Sequence, residues 1–225
     1  MTNFIKSKDE ELGLVHIEVR PVILEGNLCM PERAEGIILF AHGSGSSRHS
    51  PRNHAVAQDL NKRNFATLLI DLLTLDEESI DVETQHLRFD ISLLSKRIIT
   101  ITDWVTENPD TRPFQIGYFG ASTGAGAALV AATERPSVVR AIVSRGGRPD
   151  LAGSALAHVV APTLFIVGEN DISVIELNRT AMAQLFCKNS LEIVSGASHL
   201  FEESGALDKV ASLALEWFER HLAGR

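Results

Sequence analysis

GYFGASTGAG, residues 117–126, is the stretch that decides how this 225-residue chain folds. Residues 114–119 form a short apolar run that predicts a buried strand, and the alanine-rich stretch up to Pro136 predicts a helix packed closely on a sheet. The turn between them, GASTG at residues 120–124, must be so tight that glycines flank its serine. We therefore expect Ser122 at the top of the sheet and at a helix N-terminus, where developing negative charge is favoured.

Three interpretations of the GASTG turn stay open on the sequence alone. A serine nucleophile fits the pattern G-x-S-x-G between a strand and a helix. The glycines also fit close packing of a helix on a strand, or a phosphate-binding loop, although G-x-G-x-x-G and a Walker lysine are both missing. We favour the nucleophile, because the motif follows a buried strand and opens a helix.

Strands alternate with helices along the chain, which predicts an α/β fold with a mostly parallel sheet and helices on both faces. The first two strands, residues 14–20 and 22–29, alternate apolar and polar side chains and form an antiparallel edge. The other predicted strands are residues 36–41, 65–72, 114–119, 138–143, 162–167 and 191–194, and the predicted helices include residues 51–62, 87–107, 173–186 and 205–222. Acidic residues 76–83 are predicted to form an exposed loop, and loops near 72–86 and 145–158 to shape the pocket.

The composition limits the class of protein. A chain with 44% hydrophobic and 22% charged residues fits one globular domain spanning residues 1–225. Its net charge of -8 disfavours nucleic-acid binding. No run approaches the roughly 18 apolar residues of a membrane span, and the N-terminus lacks the apolar stretch of a signal peptide, which predicts a cytoplasmic protein. Neither Cys29 nor Cys187 has a Cys or His at ligand spacing, so no zinc site is expected.

A serine hydroxyl needs a base, because it is a poor nucleophile at neutral pH. The G-x-S-x-G turn is typical of the α/β-hydrolase fold, in which the acid and then the histidine follow the serine. His199 lies in a loop just after the last predicted strand, where an imidazole reaches over the sheet edge. The alternatives are His158, near a predicted helix end, and His221, among the charged residues of the terminal helix.

The acid must lie between the serine and the histidine, at the end of a strand. Asp171 follows strand 162–167 and is the predicted acid, which holds the imidazole tautomer and stabilises the imidazolium. Asp150, after the preceding strand, and Glu169 are the competitors, and each also fits a turn or cap carboxylate.

An oxyanion hole completes this chemistry. The backbone N–H after the nucleophile, that of Thr123, is one predicted donor. Ser44, in HGSGSS at residues 42–47, is best placed to supply the other, although this stretch also fits a flexible surface loop.

Two arginine-bearing loops follow strands at the same predicted edge. Arg48 and Arg52 lie in the first loop, and Arg145 and Arg148 in the second. Ligands of open α/β folds bind at this edge, so we predict that Arg48 and Arg145 contact a carboxylate or phosphate of the substrate. The alternative is solvated surface charge.

These motifs resemble a known family. FAHGSGSS (40–47), GYFGASTGAG (117–126), VGENDI (167–172) and GASHLF (196–201) are similar to the dienelactone hydrolase-like branch of the α/β-hydrolases, over nearly the whole chain. The resemblance implies a compact catalytic domain with little or no cap, and it supports the triad and oxyanion donors given above. Founding members carry cysteine as the nucleophile, so the serine here indicates a more general carboxylesterase. Similar small hydrolases also occur fused to phosphoribosyltransferase domains.

The sequence thus predicts a serine hydrolase that cleaves an ester, a lactone or a thioester of a small-molecule acyl substrate through an acyl-enzyme on Ser122. No cofactor is expected, because the triad supplies both the nucleophile and proton transfer. The alternatives are an acyltransferase or thioesterase using the same triad, and a non-catalytic binding protein of this fold.

Overall fold

One eight-stranded sheet organises the computed structural model, which describes residues 12–222. The strands are β1 (Leu12–Val19), β2 (Val22–Cys29), β3 (Gly36–Ala41), β4 (Phe65–Ile70), β5 (Ile116–Ala121), β6 (Val139–Arg145), β7 (Thr163–Gly168) and β8 (Asn189–Val194). The α-helices of this range are α1 (Pro51–Lys62), α2 (Leu75–Thr84), α3 (Ile91–Glu107), α4 (Thr123–Glu134), α5 (Ile172–Met182) and α6 (Ala206–Leu222).

The predicted α/β architecture is confirmed. The strand order is β1-β2-β4-β3-β5-β6-β7-β8, in which β1, β2 and β4 pair antiparallel and the remaining neighbours pair parallel. Every residue of β3, β4, β5 and β7 is buried, as expected for central strands covered on both faces. The antiparallel pairs lie at one edge of the sheet, where the alternating pattern of residues 14–29 predicted them.

Helices cover both faces of the sheet and divide the core in two. Helices α1 and α6 pack on one face, where Val56 and Val210 meet Phe119 and Val143. Helices α3 and α4 pack on the other, where Ile98 joins a cluster of buried residues that includes the alanines of α4. The parallel strands therefore end at one sheet edge between two helical layers, and the predicted site residues lie along that edge.

The prediction of an exposed loop at residues 76–83 is wrong, because this segment forms α2. The Thr74 hydroxyl accepts a hydrogen bond from the Glu77 N–H, and the Glu77 carboxylate accepts one from the Thr74 N–H. This reciprocal capping box starts the helix, and its acidic first turn is favourable at a helix N-terminus. The T-x-x-E spacing was the available sequence signal, and the clustered acidic residues obscured it.

Two other segments differ from their predictions. The helix predicted over residues 87–107 is divided, because a single 3₁₀ turn at Leu87–Phe89 precedes Asp90, whose side chain accepts from the Leu93 N–H and caps α3. The loop expected near residues 145–158 contains a 3₁₀ segment, Pro149–His158, that kinks at Gly153 with φ 52°. Both are short-range turns that a 3.6-residue hydrophobic period does not reveal.

Replacing Thr74 by alanine tests the capping box of α2. Loss of an N-cap hydroxyl costs about 1 kcal/mol, which lowers the melting temperature of a chain of this size by about 2–4 °C. Thr84→Ala, at the other end of α2, is the control, because its exposed hydroxyl bonds the Ile80 carbonyl of its own helix and the exposed His86 ring, and caps no helix N-terminus. Equal thermal stability of Thr74→Ala and Thr84→Ala would contradict a stabilising cap.

Candidate active site

Ser122 occupies a strained turn between β5 and α4. Its backbone has φ 49° and ψ -123°, a conformation that side-chain-bearing residues rarely adopt. Its N–H donates to the Arg145 carbonyl (3.3 Å), and its carbonyl accepts from the N–H groups of Ala125 (3.1 Å) and Arg148 (3.0 Å). Hydrogen bonds on both sides of the residue therefore hold the turn in place.

The glycines of this turn are needed because backbone from other segments lies against them. A Cβ atom added to Gly124 would lie 2.3 Å from the Ala41 carbonyl oxygen, and one added to Gly120 would lie 2.5 Å from the Cα of Ala125. A Cβ on Gly43 would lie 2.8 Å from the Cβ of Ser122. The turn, helix α4 and the loop after β3 therefore touch at Ser122.

Asp171 and His199 are brought together as predicted from the chain order. The Nδ1 of His199 lies 2.6 Å from the Asp171 Oδ2, and the Asp171 side chain is 12% exposed. Because an ionised carboxylate only accepts hydrogen bonds, Nδ1 carries the proton and Nε2 is left with a free lone pair. The His199 ring lies against Gly146, whose added Cβ would be 3.4 Å from two of its ring atoms.

The competing acids have other partners. Glu169 accepts from the Ser195 hydroxyl (2.8 Å) and the Gly196 N–H (2.7 Å), and these bonds lower the pKa of its carboxyl group. Asp150 accepts two hydrogen bonds from Arg148. Both carboxylates thus stabilise loops through hydrogen bonds, and neither forms a hydrogen bond with a histidine.

The competing histidines are also engaged elsewhere or exposed. His158 is exposed at the end of the 3₁₀ segment, and the His221 ring packs 4.7 Å from the ring of Trp217 on α6. Within residues 12–222, the Ser122 hydroxyl has no hydrogen-bond partner and His199 is bonded only through Nδ1. Contacts between a nucleophile and its base are often long before a substrate binds, so an open Ser122–His199 pair is compatible with catalysis.

Ser44 and Thr123 are in direct contact. The Ser44 N–H donates to the Thr123 Oγ1 (3.1 Å), and the two hydroxyl oxygens lie 3.0 Å apart. Thr123 is the first residue of α4, so its own N–H points out of the helix without an intrahelical acceptor. The two residues predicted as oxyanion donors therefore meet beside Ser122, with the Ser44 amide held by a side chain.

His42 fixes the start of the loop that carries Ser44. Its Nε2 accepts a hydrogen bond from the Leu72 N–H (3.0 Å), so the proton resides on Nδ1, which donates to the Gly43 carbonyl (3.0 Å). Burial lowers the pKa of this imidazole below its ordinary value, which keeps the ring neutral. The sequence analysis did not assign His42 a role, although its position directly after a buried strand was visible.

Arg48 holds the same loop at its other end. Its backbone N–H donates to the Asp71 carboxylate (2.6 Å), and its guanidinium pairs with Asp71 and with Glu25 (2.6 Å). The Arg48 side chain is only 14% exposed. Two carboxylates already neutralise this guanidinium, which disfavours the predicted contact of Arg48 with an anionic substrate, and its burial does not fit the alternative of a solvated charge.

A cavity of about 410 Å³ opens beside Ser44 and Thr123. It is lined by the loop after β3 and the first turn of α1, and also by Arg88, the start of α3 and α2, which contributes Glu78 and Val82. Burial and the negative charge of nearby Asp71 raise the pKa of Glu78. Glu78 is not among the predicted site residues, because residues 76–83 are predicted to form a loop and not a helix.

Arg145 lies at the end of β6 and is 8% exposed. Among residues 12–222 it has no ion pair, and its Nη1 is buried with no hydrogen-bond partner. Arg52 lines the cavity, and its Nη1 bonds Glu202 (3.0 Å), in the loop that carries His199. The structure thus leaves Arg145 uncompensated near Ser122, unlike Arg48.

No helix within residues 12–222 combines the length and the hydropathy needed to cross a membrane. In the same part of the chain, no cluster of three His, Cys, Asp or Glu side chains is arranged to hold a metal ion.

Comparison with known proteins identifies relatives of this chain. The sequence profile of the dienelactone hydrolase family matches residues 24–222. A dienelactone hydrolase from Anabaena variabilis is 61% identical, with a TM-score of 0.92 over 94% of this chain and 98% of that one. Est1E from Butyrivibrio proteoclasticus is 16% identical with a TM-score of 0.77, covering 92% of this chain and 98% of its own, and shows the fold alone.

Two curated proteins, from two strains of Mycobacterium tuberculosis, are 55% identical over 217 residues and carry the provisional name phosphoribosyl transferase. The match covers 96% of this chain and 47% of each relative, so this chain spans about half their length.

The neutrality of His42 gives a pH dependence to the free energy of unfolding. Because the folded-state pKa lies below the unfolded value of about 6.5, the unfolded chain binds the extra proton, and stability is lost as the pH falls below that value. We expect the melting temperature to fall more steeply between pH 7.5 and 5 in the wild type than in His42→Gln, whose amide oxygen is an acceptor for the Leu72 N–H and does not titrate. Parallel curves for the two proteins would show that His42 is not the titrating group.

Proposed function

The chain belongs to the dienelactone hydrolase family, and we propose that it is a serine hydrolase that cleaves a carboxylic ester through an acyl-enzyme on Ser122. The observation that carries this proposal is the 2.6 Å bond between Asp171 and His199, on loops beside the turn that presents Ser122. Membership of the family supports a hydrolase of the α/β fold. The ester bond, the serine mechanism and a small-molecule acyl substrate are parts of the proposal.

In the proposed mechanism, the Ser122 Oγ attacks the carbonyl carbon while the His199 Nε2 takes its proton. Asp171 keeps the imidazole in the tautomer that leaves Nε2 free, and it stabilises the imidazolium that forms. His199 then gives the proton to the leaving alcohol, and a water molecule attacks the acyl-enzyme by the same route in reverse.

The oxyanion of the tetrahedral intermediate is stabilised by backbone donors in this proposal. The Thr123 N–H is available at the N-terminus of α4, where the helix dipole adds to its effect. The Ser44 N–H is the second donor, and in the unliganded protein the Thr123 Oγ1 accepts from it. We propose that the oxyanion replaces the Thr123 hydroxyl on this amide.

We assign no phosphoribosyl transfer to this chain. The curated relatives with that name are about twice as long as the matched segment, so the name describes proteins with a large part that this chain does not match. The strained serine turn and the Asp171–His199 bond both belong to the matched segment and favour acyl chemistry.

Thr123→Val tests the proposed exchange of acceptors on the Ser44 amide. Valine has nearly the same shape as threonine but accepts no hydrogen bond. The Ser44 N–H therefore has no bond to the residue 123 side chain to break before it donates to the oxyanion. Because a neutral hydrogen bond contributes about 0.5–1.5 kcal/mol net, kcat/KM should rise by about 2- to 12-fold. A fall in kcat/KM for both Thr123→Val and Ser44→Ala would instead indicate that the side-chain hydroxyls of these two residues donate hydrogen bonds to the oxyanion.

Ser122→Ala tests the serine mechanism directly with short-chain p-nitrophenyl esters. We expect kcat/KM to fall by a factor of about 10³ or more, since the removal of a triad member has effects of at least that size. A thiol ester and an added alcohol acceptor, assayed in parallel, separate ester hydrolysis from thioester cleavage and acyl transfer.

The two carboxylates near His199 provide a matched control. Asp171→Asn removes the charge that fixes the imidazole tautomer, and should lower kcat/KM by a factor of about 10⁴. Glu169→Gln changes a carboxylate two residues away that bonds Ser195 and Gly196, and should leave most of the activity. If Ser122→Ala and Asp171→Asn were both as active as the wild type, the proposed function would be wrong.

A further inference from the structure

Arg145 differs from the other buried or half-buried arginines in having no counterion. Each of the others pairs with at least one carboxylate: Arg48 with Asp71 and Glu25, Arg52 with Glu202, Arg88 with Asp81, Arg97 with Glu77, Arg135 with Asp103 and Arg148 with Asp150. Arg145 is 8% exposed and has no hydrogen-bond partner for its Nη1 among the described residues. A buried charge without a partner is costly, which indicates that its partner is an anion from outside the chain.

The Arg145 guanidinium remains charged in spite of its burial. Burial, together with the positive charge of Arg52, lowers the pKa of Arg145 to about 10, which is still well above neutral pH. An anion that binds there thus meets a full positive charge in a region of low polarity, where ionic interactions are strengthened.

Arg52 is the second guanidinium on this side of the sheet. Side chains of a strand alternate between faces, so Arg145 lies on the same face as Val143, which packs in one cluster with Val56 of α1. Arg52 lies in the first turn of α1, and its Nε is also buried without a partner. Its Nη1 bonds only Glu202, whose side chain is 63% exposed.

The backbone of Arg145 and the cavity lined by Arg52 both adjoin residues of the candidate active site. The Arg145 carbonyl accepts from the Ser122 N–H, and the next residue, Gly146, lies against the His199 ring. Arg52 lines the cavity that Ser44 and Thr123 border. An anionic group beside Arg52 and Arg145 would therefore lie close to an acyl group on Ser122.

We propose that Arg145 and Arg52 bind a phosphate monoester group of the acyl substrate. Two guanidinium groups against the single exposed carboxylate of Glu202 leave an excess positive charge. A phosphate monoester is an anion at pH 7, and its three acceptor oxygens serve the orphaned N–H groups of both arginines at once, whereas a carboxylate has only two oxygens. The inference rests on the proposed function, because it names the substrate class of the same site.

Acidic side chains of α2 in the cavity lining favour the same orientation. Glu78 lines the cavity, and Asp81, although paired with Arg88, also borders it. Negative side chains there repel a phosphate, whereas Arg52 on α1 attracts it. The charged group of the substrate is thus directed to the α1 side.

Binding of inorganic phosphate, measured by calorimetry without any turnover, is the first test. We expect the wild type to bind phosphate, and Arg145→Met and Arg52→Met each to weaken binding by roughly 10- to 100-fold, the size of a charge-assisted hydrogen bond. Arg148→Met is the matched control, because this arginine lies in the same loop but is neutralised by Asp150, and its phosphate affinity should equal the wild type's.

The melting temperature separates a ligand site from a structural role. Removal of an uncompensated buried charge should keep or raise the melting temperature of Arg145→Met without phosphate, and phosphate should stabilise the wild type and Arg148→Met more than Arg145→Met. A large loss of stability in Arg145→Met without ligand would mean that the arginine supports the fold, and the phosphate affinity of this variant would then not report on a ligand site. Arg52→Met then provides the same binding test at the cavity wall without altering the sheet.

A pair of acetyl esters, of glycerol and of glycerol 3-phosphate, tests the substrate class. The ratio of their kcat/KM values should favour the phosphorylated ester in the wild type and in Arg148→Met, and should fall by roughly 10- to 100-fold in Arg145→Met. An equal ratio in all three proteins, or succinate binding as tightly as phosphate, would overturn the phosphate proposal. Phosphate binding without hydrolysis of either ester would count against the proposed function but not against the site.

Discussion

The close approach of helix α4 to the ends of β3 and β5 is the constraint on which the candidate active site depends. Backbone atoms of Ala41 and Ala125 leave no space for a side chain at Gly124 and Gly120, so the chain turns from strand to helix within one residue. That residue, Ser122, takes a left-handed conformation and is held by hydrogen bonds from both sides. The turn thus fixes the hydroxyl, the N-terminus of α4 and the loop after β3 in one place through backbone geometry.

The loop that carries Ser44 is held by polar groups rather than by apolar packing. Neutral His42 links its start to the residues after β4, and Arg48 links its far end to Asp71 in the same segment. Buried polar contacts of this kind add little net stability, but breaking one leaves its partner unsatisfied, so they favour a single loop conformation. A single conformation is what an oxyanion site needs, because donors that are already oriented require no reorganisation during the reaction.

The cavity beside this loop is lined by side chains of both charges. Helix α2 contributes Glu78 to its lining, and α1 contributes Arg52, whose guanidinium bonds Glu202 in the loop of His199. In the functions that we propose, these charges orient the substrate before chemistry begins, with the ester near Ser122 and an anionic group on the arginine side. Orientation by groups away from the reacting bond lowers the activation barrier, because translational and rotational freedom has already been lost on binding.

The sequence by itself determined the features that depend on neighbouring residues. The continuous apolar runs, the alternation of residues 14–29 and the GASTG turn predicted the parallel sheet, its antiparallel edge and the position of Ser122. The contact of His199 with Asp171 was also predicted, because the strand order of a known fold was enough to bring the two loops together. Only the tertiary structure decided which charges are neutralised. Arg48 and Arg145 look alike in sequence, but carboxylates from other strands reach only Arg48, because such pairing depends on distances between segments that no local pattern encodes.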